Sequence, residues 1–194
     1  MALRCFIAVE IPAPLKELLA ETTERLRKSG ADIRWVRPEN VHLTLKFLGS
    51  TEETLVAAIS GALSEKLSSY SPFYIKIGGV GCFPDMRRPR VVWVGIEESR
   101  ELKELARDVD AVTLKFGYGA EERAFSPHLT IGRVRSQKGV SGMIKNLENF
   151  DTASFGSMEI NKVTLMKSEL RPAGAEYSGL AEIFIGGRND VEQG

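Results

Sequence analysis

His42-Leu43-Thr44-Leu45 and His128-Leu129-Thr130-Ile131 are one tetrad written twice, and together they use every histidine in the chain. In the first copy Val41, Leu43, Leu45 and Phe47 alternate with His42, Thr44 and Lys46, the period-two pattern of a half-buried strand. Each tetrad follows a polar turn. Phe6 lies about as far ahead of His42 as Val92 lies ahead of His128, so the repetition extends beyond the tetrads to a duplicated architecture. With 194 residues and no long Pro- or Ser-rich linker, the expectation is one bilobal domain, 1–194, with approximate internal repeats 1–80 and 90–167 and a groove between the halves.

Short apolar runs alternate with helical patterns along the whole chain, which points to an α and β mixture. The pattern predicts strands at Leu3 to Glu10, Val41 to Gly49, Ser71 to Val80, Val91 to Ile96, Ser126 to Val134, Phe155 to Met166 and Leu180 to Ile185. A helix starts at Pro14, with Leu15, Leu18, Leu19 and Leu26 in helical spacing, and Gly30 closes it. Ser50 or Thr51 is expected to cap a second helix to about Leu67. Further helices are expected at Arg100 to Leu114 and Val140 to Leu147. Gly78 to Arg90 and Leu170 to Ser178 read as loops, the first as a mobile one.

In a strand, residues two apart share a face, so each tetrad presents an imidazole and a hydroxyl on one side and turns its apolar residues to the core. Two such strands facing one another offer two imidazoles and two hydroxyls. An imidazole with an ordinary pKa near 6.5 can take a proton from water while a cationic partner gives one to a leaving oxygen. Threonine hydroxyls can donate to the non-bridging oxygens of a phosphodiester. His-x-Thr supplies only one good metal ligand per strand, and no acidic or cysteine partner stands at ligand spacing, so no metal is expected. The alternative, two structural histidines bonding threonine hydroxyls at a lobe interface, stays open at this point.

Lys+Arg 26 balance Asp+Glu 26, which argues against a protein that grips long nucleic acid through many phosphates. If RNA is bound, an end is held. No run approaches the roughly 18 to 20 apolar residues of a membrane helix, and Cys5 and Cys82 lack the spacing of a redox or zinc motif, so an intracellular, cytoplasmic chain with buried thiols is expected. Arg133 follows Thr130 closely enough to hold a phosphate, with an ordinary surface arginine as the alternative. Arg87, Arg88 and Arg90 form a basic loop with Phe83 nearby, which reads either as a merely solvated loop or as a combination suited to a terminal nucleotide. Trp35 and Trp93 lie in apolar strand patterns and are expected in the core.

These tetrads resemble those of the two-histidine phosphoesterase superfamily, and in particular its RNA 2′,3′-cyclic phosphodiesterase branch, once named 2′-5′ RNA ligase. Arg4-Cys5-Phe6-Ile7-Ala8, Arg34-Trp35-Val36, Asn40 to Gly49, Pro89 to Gly95, Pro127 to Arg133, Phe155-Gly156-Ser157, and Lys167-Ser168-Glu169-Leu170 through Pro172 and Gly174 carry the likeness in order. The resemblance implies an α+β, bilobal pseudo-twofold duplicated fold with antiparallel sheets lining a central groove and helices on the outside. It implies an RNA 2′,3′-cyclic 3′-phosphodiesterase in which His42 donates a proton to the leaving 3′ oxygen and His128 accepts one from water, with Thr44 and Thr130 assisting. Arg133, Phe83 and Arg90 are the expected substrate-binding residues. The expected partner is an RNA with a 2′,3′-cyclic phosphate end, with ATP-independent 2′-5′ ligation as the reverse reaction. A small cyclic nucleotide substrate, or a non-catalytic RNA-end-binding module, are the alternatives. No cofactor and no membrane are expected, and the chain is expected to act as a monomer.

Overall fold

The computed structural model describes residues 2–148, 150, 153–172 and 174–187; the last stretch of the expected 1–194 domain lies outside them. In chain order the elements are β1 (Ala2–Glu10), α1 (Ala13–Arg27), β2 (Ile33–Trp35), a 3-10 turn (Pro38–Asn40), β3 (His42–Glu52), α2 (Leu55–Leu67), β4 (Phe73–Phe83), β5 (Val91–Ile96), α3 (Arg100–Leu114), β6 (His128–Val134), α4 (Val140–Glu148), β7 (Ser154–Ile160), β8 (Lys162–Arg171) and β9 (Gly174–Phe184). The strands form one antiparallel sheet in the order β7-β4-β5-β6-β3-β1-β8-β9, with β2 added on β6.

The two halves of this sheet meet at β3 and β6. Their ladder consists of a single pairing, Leu43 with Leu129. On either side the order is symmetric, but each half borrows a strand: β4, which follows β3 in the chain, pairs with β5, whereas β8 returns to pair with β1. The two lobes therefore interlock.

The four helices among the described residues cover one face of the sheet. Leu26 of α1, Ile59 of α2, Leu105 of α3 and Met143 of α4 share one continuous core with Leu43 and Leu129, each fully buried. Burying such a side chain contributes roughly 1.5–3 kcal/mol. α3 is the most sharply defined helix: Ser99 caps it by accepting the Leu102 N–H at 3.1 Å, and Leu102, Leu105, Val109 and Val112 line its buried side. On the opposite face Phe6, Ala8 and Met166 make a separate small apolar cluster against Tyr177.

Several sequence expectations need correction. Ser50 and Thr51 do not cap α2; they continue β3, paired with Arg4 and Leu3, and α2 begins at Leu55. The expected strand Phe155 to Met166 is two strands in opposite halves of the sheet, because β7 pairs with β4 and β8 with β1. The apolar positions change parity across the polar pair Asn161-Lys162, from Met158 and Ile160 to Val163 and Leu165, and exposed Asn161 separates the two strands. The expected loop Leu170 to Ser178 is a tight hairpin, with Glu169 directly opposite Glu176. Arg171, which pairs with both carboxylates, and Lys167, which pairs with Glu169, offset that like-charge contact. Gly78 to Phe83 belong to β4, which narrows the basic loop to residues 84–90.

Simple alternation also fails within the tetrad strands. Thr44 pairs with Ala8 and Lys46 with Ile7, so Leu45 is an extra residue, a β-bulge. Beyond it the faces exchange: Lys46 is 3% exposed on the helix side, and Phe47, expected in the core, is 63% exposed. β6 repeats this device, since Thr130 pairs with Trp93 and Gly132 with Val92, leaving Ile131 as the bulge.

Candidate active site

The Leu43–Leu129 pairing builds the centre of the site. Extending that antiparallel register by one residue each way sets His42 across from Thr130 and Thr44 across from His128. Leu43 and Leu129 point into the core, so these four residues share the other face. Directly opposed positions stand about 4.5–5.5 Å apart and diagonal ones about 7–8 Å. The imidazoles occupy a diagonal, a span that one phosphate can bridge.

Both rings are held alike. Nδ1 of His42 lies 2.8 Å from the Asn40 carbonyl oxygen, and Nδ1 of His128 lies 2.7 Å from that of Ser126. A carbonyl only accepts, so Nδ1 carries the proton in each ring and Nε2 is left to exchange one. Neither imidazole bonds a threonine hydroxyl. Aromatic neighbours hold the planes: Tyr177 stands edge-on to His42 at 5.1 Å with Phe6 at 4.7 Å, and Phe83 stands edge-on to His128 at 4.9 Å. Asn40 has a second task, because its side-chain amide donates to the Ala175 carbonyl at 2.8 Å and ties β9 to the turn before His42.

The environments of the two rings are not equivalent. Burial lowers the His42 pKa from its ordinary 6.5, the bond to Asn40 partly opposes this, and the charges of Lys16 and Arg133 lower it further. Glu10 lies opposite His42 on β1, and its carboxylate accepts from the Thr164 hydroxyl at 3.2 Å.

Arg133 joins the histidine face because of the second bulge. A Cβ on Gly132 would point into Ile33 and Trp35 on the core side, at 2.8 and 3.0 Å, so the next residue faces the groove. Phe47 holds the matching position after the first bulge. Phe83 reaches the site through its contact with His128. Arg90 is the exposed last residue of the β4–β5 loop, linked through its backbone to Phe83 and Val134. The Trp35 expectation agrees with its packing against the core. Trp93, expected there too, instead lies on the groove face, tilted against Phe83 at 5.2 Å and laid over Gly81, where a Cβ would come within 2.4 Å of its ring.

Sequence reading missed Phe47, Phe6 and Tyr177. Phe47 is displaced by the bulge, and Tyr177 sits in a stretch read as loop. Phe6 followed by Ala8 was a usable signal, since those alternate positions of β1 face outward together with Thr44, the partner of Ala8. Among the described residues no group of three or more His, Cys, Asp or Glu side chains is placed to hold a metal ion.

A sheet that presents two mirrored His-x-Thr tetrads about a single central pairing can be matched to proteins already known. The model of the LigT-like phosphoesterases matches twice, at residues 9–93 and 94–177, once for each tetrad. The chain belongs to the LigT-like phosphoesterase family. Among its relatives, the RNA 2′,3′-cyclic phosphodiesterase of Methanothermobacter thermautotrophicus is 35% identical over 184 residues, covering 95% of this chain and 99% of that protein. The protein of the same name from Archaeoglobus fulgidus is 37% identical over 180 residues, covering 92% and 98%. The LigT-like fold is also seen in a Thermus thermophilus crystal structure, with a TM-score of 0.81 at 24% identity over 96% of this chain and all of that one. E. coli LigT, crystallised with 3′-AMP, gives 0.76 at 23% identity, covering 95% and 99%. As a LigT-like phosphoesterase the chain has the duplicated α+β fold expected of it. No helix among its described residues is long and apolar enough to cross a membrane.

Proposed function

We propose that this LigT-like phosphoesterase hydrolyses the 2′,3′-cyclic phosphate at an RNA end to a 2′-phosphate. The observation that carries the reading is the matched anchoring of His42 and His128, each with Nδ1–H committed to a carbonyl two residues upstream and Nε2 free on one shared face. The names of the relatives support the substrate.

In this scheme His128 accepts a proton from water through Nε2 as the water oxygen attacks phosphorus. The bond from phosphorus to the 3′ oxygen breaks, and His42 gives that oxygen its proton. The P–O2′ bond stays, and one water is consumed. Which histidine is acid and which is base follows the family resemblance. Thr44, Thr130 and Arg133 donate to the non-bridging oxygens, where charge accumulates. Burial favours the neutral form of His42; an anionic phosphate beside it favours the imidazolium. Substrate binding and arming of the acid are thus coupled. The imidazolium and guanidinium supply the positive charge and the hydroxyls the hydrogen-bond donors the scheme needs, so no step calls for a metal. With a 5′-hydroxyl in place of water, the same attack on phosphorus and the same departure of the 3′ oxygen join ends through a 2′-5′ bond.

The test is incubation, in excess EDTA, of an oligoribonucleotide ending in a 2′,3′-cyclic phosphate, with the product identified as 2′- or 3′-phosphate. A 2′-phosphate formed with a bell-shaped pH profile is expected. A 3′-phosphate, or turnover only after a divalent ion is returned, overturns the scheme.

A further inference from the structure

The groove face does not end at Arg133. Arg34 lies directly across from it on β2. Opposed residues of an antiparallel pair share a face, and Ile33 and Trp35 on either side of Arg34 both turn to the core, so Arg34 points to the groove side with Arg133. Its guanidinium rests against the backbone of Gly174, where a Cβ would lie 2.9 Å from Nη2. Gly174 opens β9, the strand that carries Tyr177 to His42. On its other side Arg133 pairs with Val91, the residue that follows the Arg87, Arg88 and Arg90 loop.

Like charges set directly opposite each other in a sheet destabilise it unless something compensates. Glu169 and Glu176 are compensated by cations. Arg34 and Arg133 are not: neither is ion-paired or hydrogen-bonded through its side chain among the described residues. In a chain whose charges otherwise balance, two uncompensated guanidinium groups side by side, next to a phosphate-sized site, make an anion-binding pair.

From this juxtaposition we infer that Arg34 forms a second phosphate subsite, which takes the internal phosphodiester preceding the terminal nucleotide. The inference rests on the RNA-end reading and sharpens it: the preferred substrate is a strand of at least two nucleotides, not a mononucleotide. Arg133 serves the reacting phosphate and Arg34 the one behind it.

The experiment compares a dinucleotide and a mononucleotide, each ending in a 2′,3′-cyclic phosphate, across a range of salt, for the unmodified protein, Arg34→Gln and Arg34→Lys. In parallel, binding of the corresponding 2′-phosphate products is measured by titration calorimetry. The unmodified protein is expected to prefer the dinucleotide, and that preference should fall about tenfold in Arg34→Gln, as for loss of one charge-assisted hydrogen bond. Arg34→Lys should restore part of it. The slope of log affinity against log salt should drop by about 0.7 for the dinucleotide product in Arg34→Gln. Equal kcat/KM for the two substrates in the unmodified protein, or an equal loss on both in Arg34→Gln, overturns the subsite while leaving the cyclic phosphodiesterase reading intact. Failure to hydrolyse either substrate overturns that reading, and the product-binding difference then decides the subsite alone.

Discussion

Leu43 and Leu129 are the only residues through which β3 and β6 pair, and each is fully buried. That one antiparallel contact aligns the tetrads and places His42 and His128 on a diagonal. Both imidazoles depend on it equally. Replacing either leucine by alanine should cost about 2–5 kcal/mol in cavity and lost burial and should impair both histidines together, which urea unfolding and single-turnover kinetics would measure.

His42→Ala and His128→Ala should each lower hydrolysis by about 10²–10⁴-fold, the usual contribution of a positioned acid or base. Neither ring is in the main core, so the thermal midpoint should move little by comparison. A double variant no slower than either single one would show that the two act as a unit. Equal collapse of the fold in both single variants would place the histidines in a structural role.

The pH dependence of stability has a definite sign. Because burial holds the His42 pKa below 6.5, the unfolded chain binds more protons at this site as pH falls past 6.5. Stability contributed here is therefore full above that value and lost as pH drops toward the folded pKa, with no further loss beneath it. His42→Gln should remove this component. NMR titration of His42 should give a midpoint below 6.5, raised by Arg133→Gln, which removes a neighbouring cation, and by added 2′-phosphate product.

Lys46 sits beneath the site and outside its chemistry. Its Nζ bonds Asp110 at 2.6 Å and the Gly119 carbonyl at 2.5 Å, with Glu121 at 3.5 Å. This anchors the segment that runs on to Ser126 and His128. Lys46→Ala leaves Asp110 without its main partner; since that carboxylate is partly exposed, the expected loss is about 2–3 kcal/mol, below the range for fully buried pairs. Limited proteolysis should find the 117–126 segment more readily cut, and turnover should fall with it.

Gly81 leaves room for the Trp93 ring, which an added Cβ would meet at 2.4 Å. Gly81→Ala should displace that ring, cost about 1–3 kcal/mol and disturb Phe83 beside His128. A shift of tryptophan fluorescence together with reduced turnover would be the signature. An unchanged spectrum with full activity would show that the groove wall repacks freely.

Much of this molecule is local and so was legible in the residues. The period of two in the tetrads identified the strands, their repetition identified the duplication, and the helical spacing around Leu102, Leu105 and Val109 needed only the Ser99 cap to make α3. The pairing of His42 with Thr44 on one face follows from strand geometry alone. What tertiary structure decided depends on which strand lies next to which. The parity of the apolar positions flips across Asn161, which marks a break, yet only the pairing shows that the chain there passes from a strand paired with β4 to one paired with β1. The bulges at Leu45 and Ile131 exist only in register with β1 and β5, and they exchange the faces of Lys46 and Phe47 and turn Arg133 toward the histidines. A sequence states which side chains are available at a spacing. The backbone hydrogen bonds to a neighbouring strand, invisible in that spacing, determine where one extra residue re-aims them.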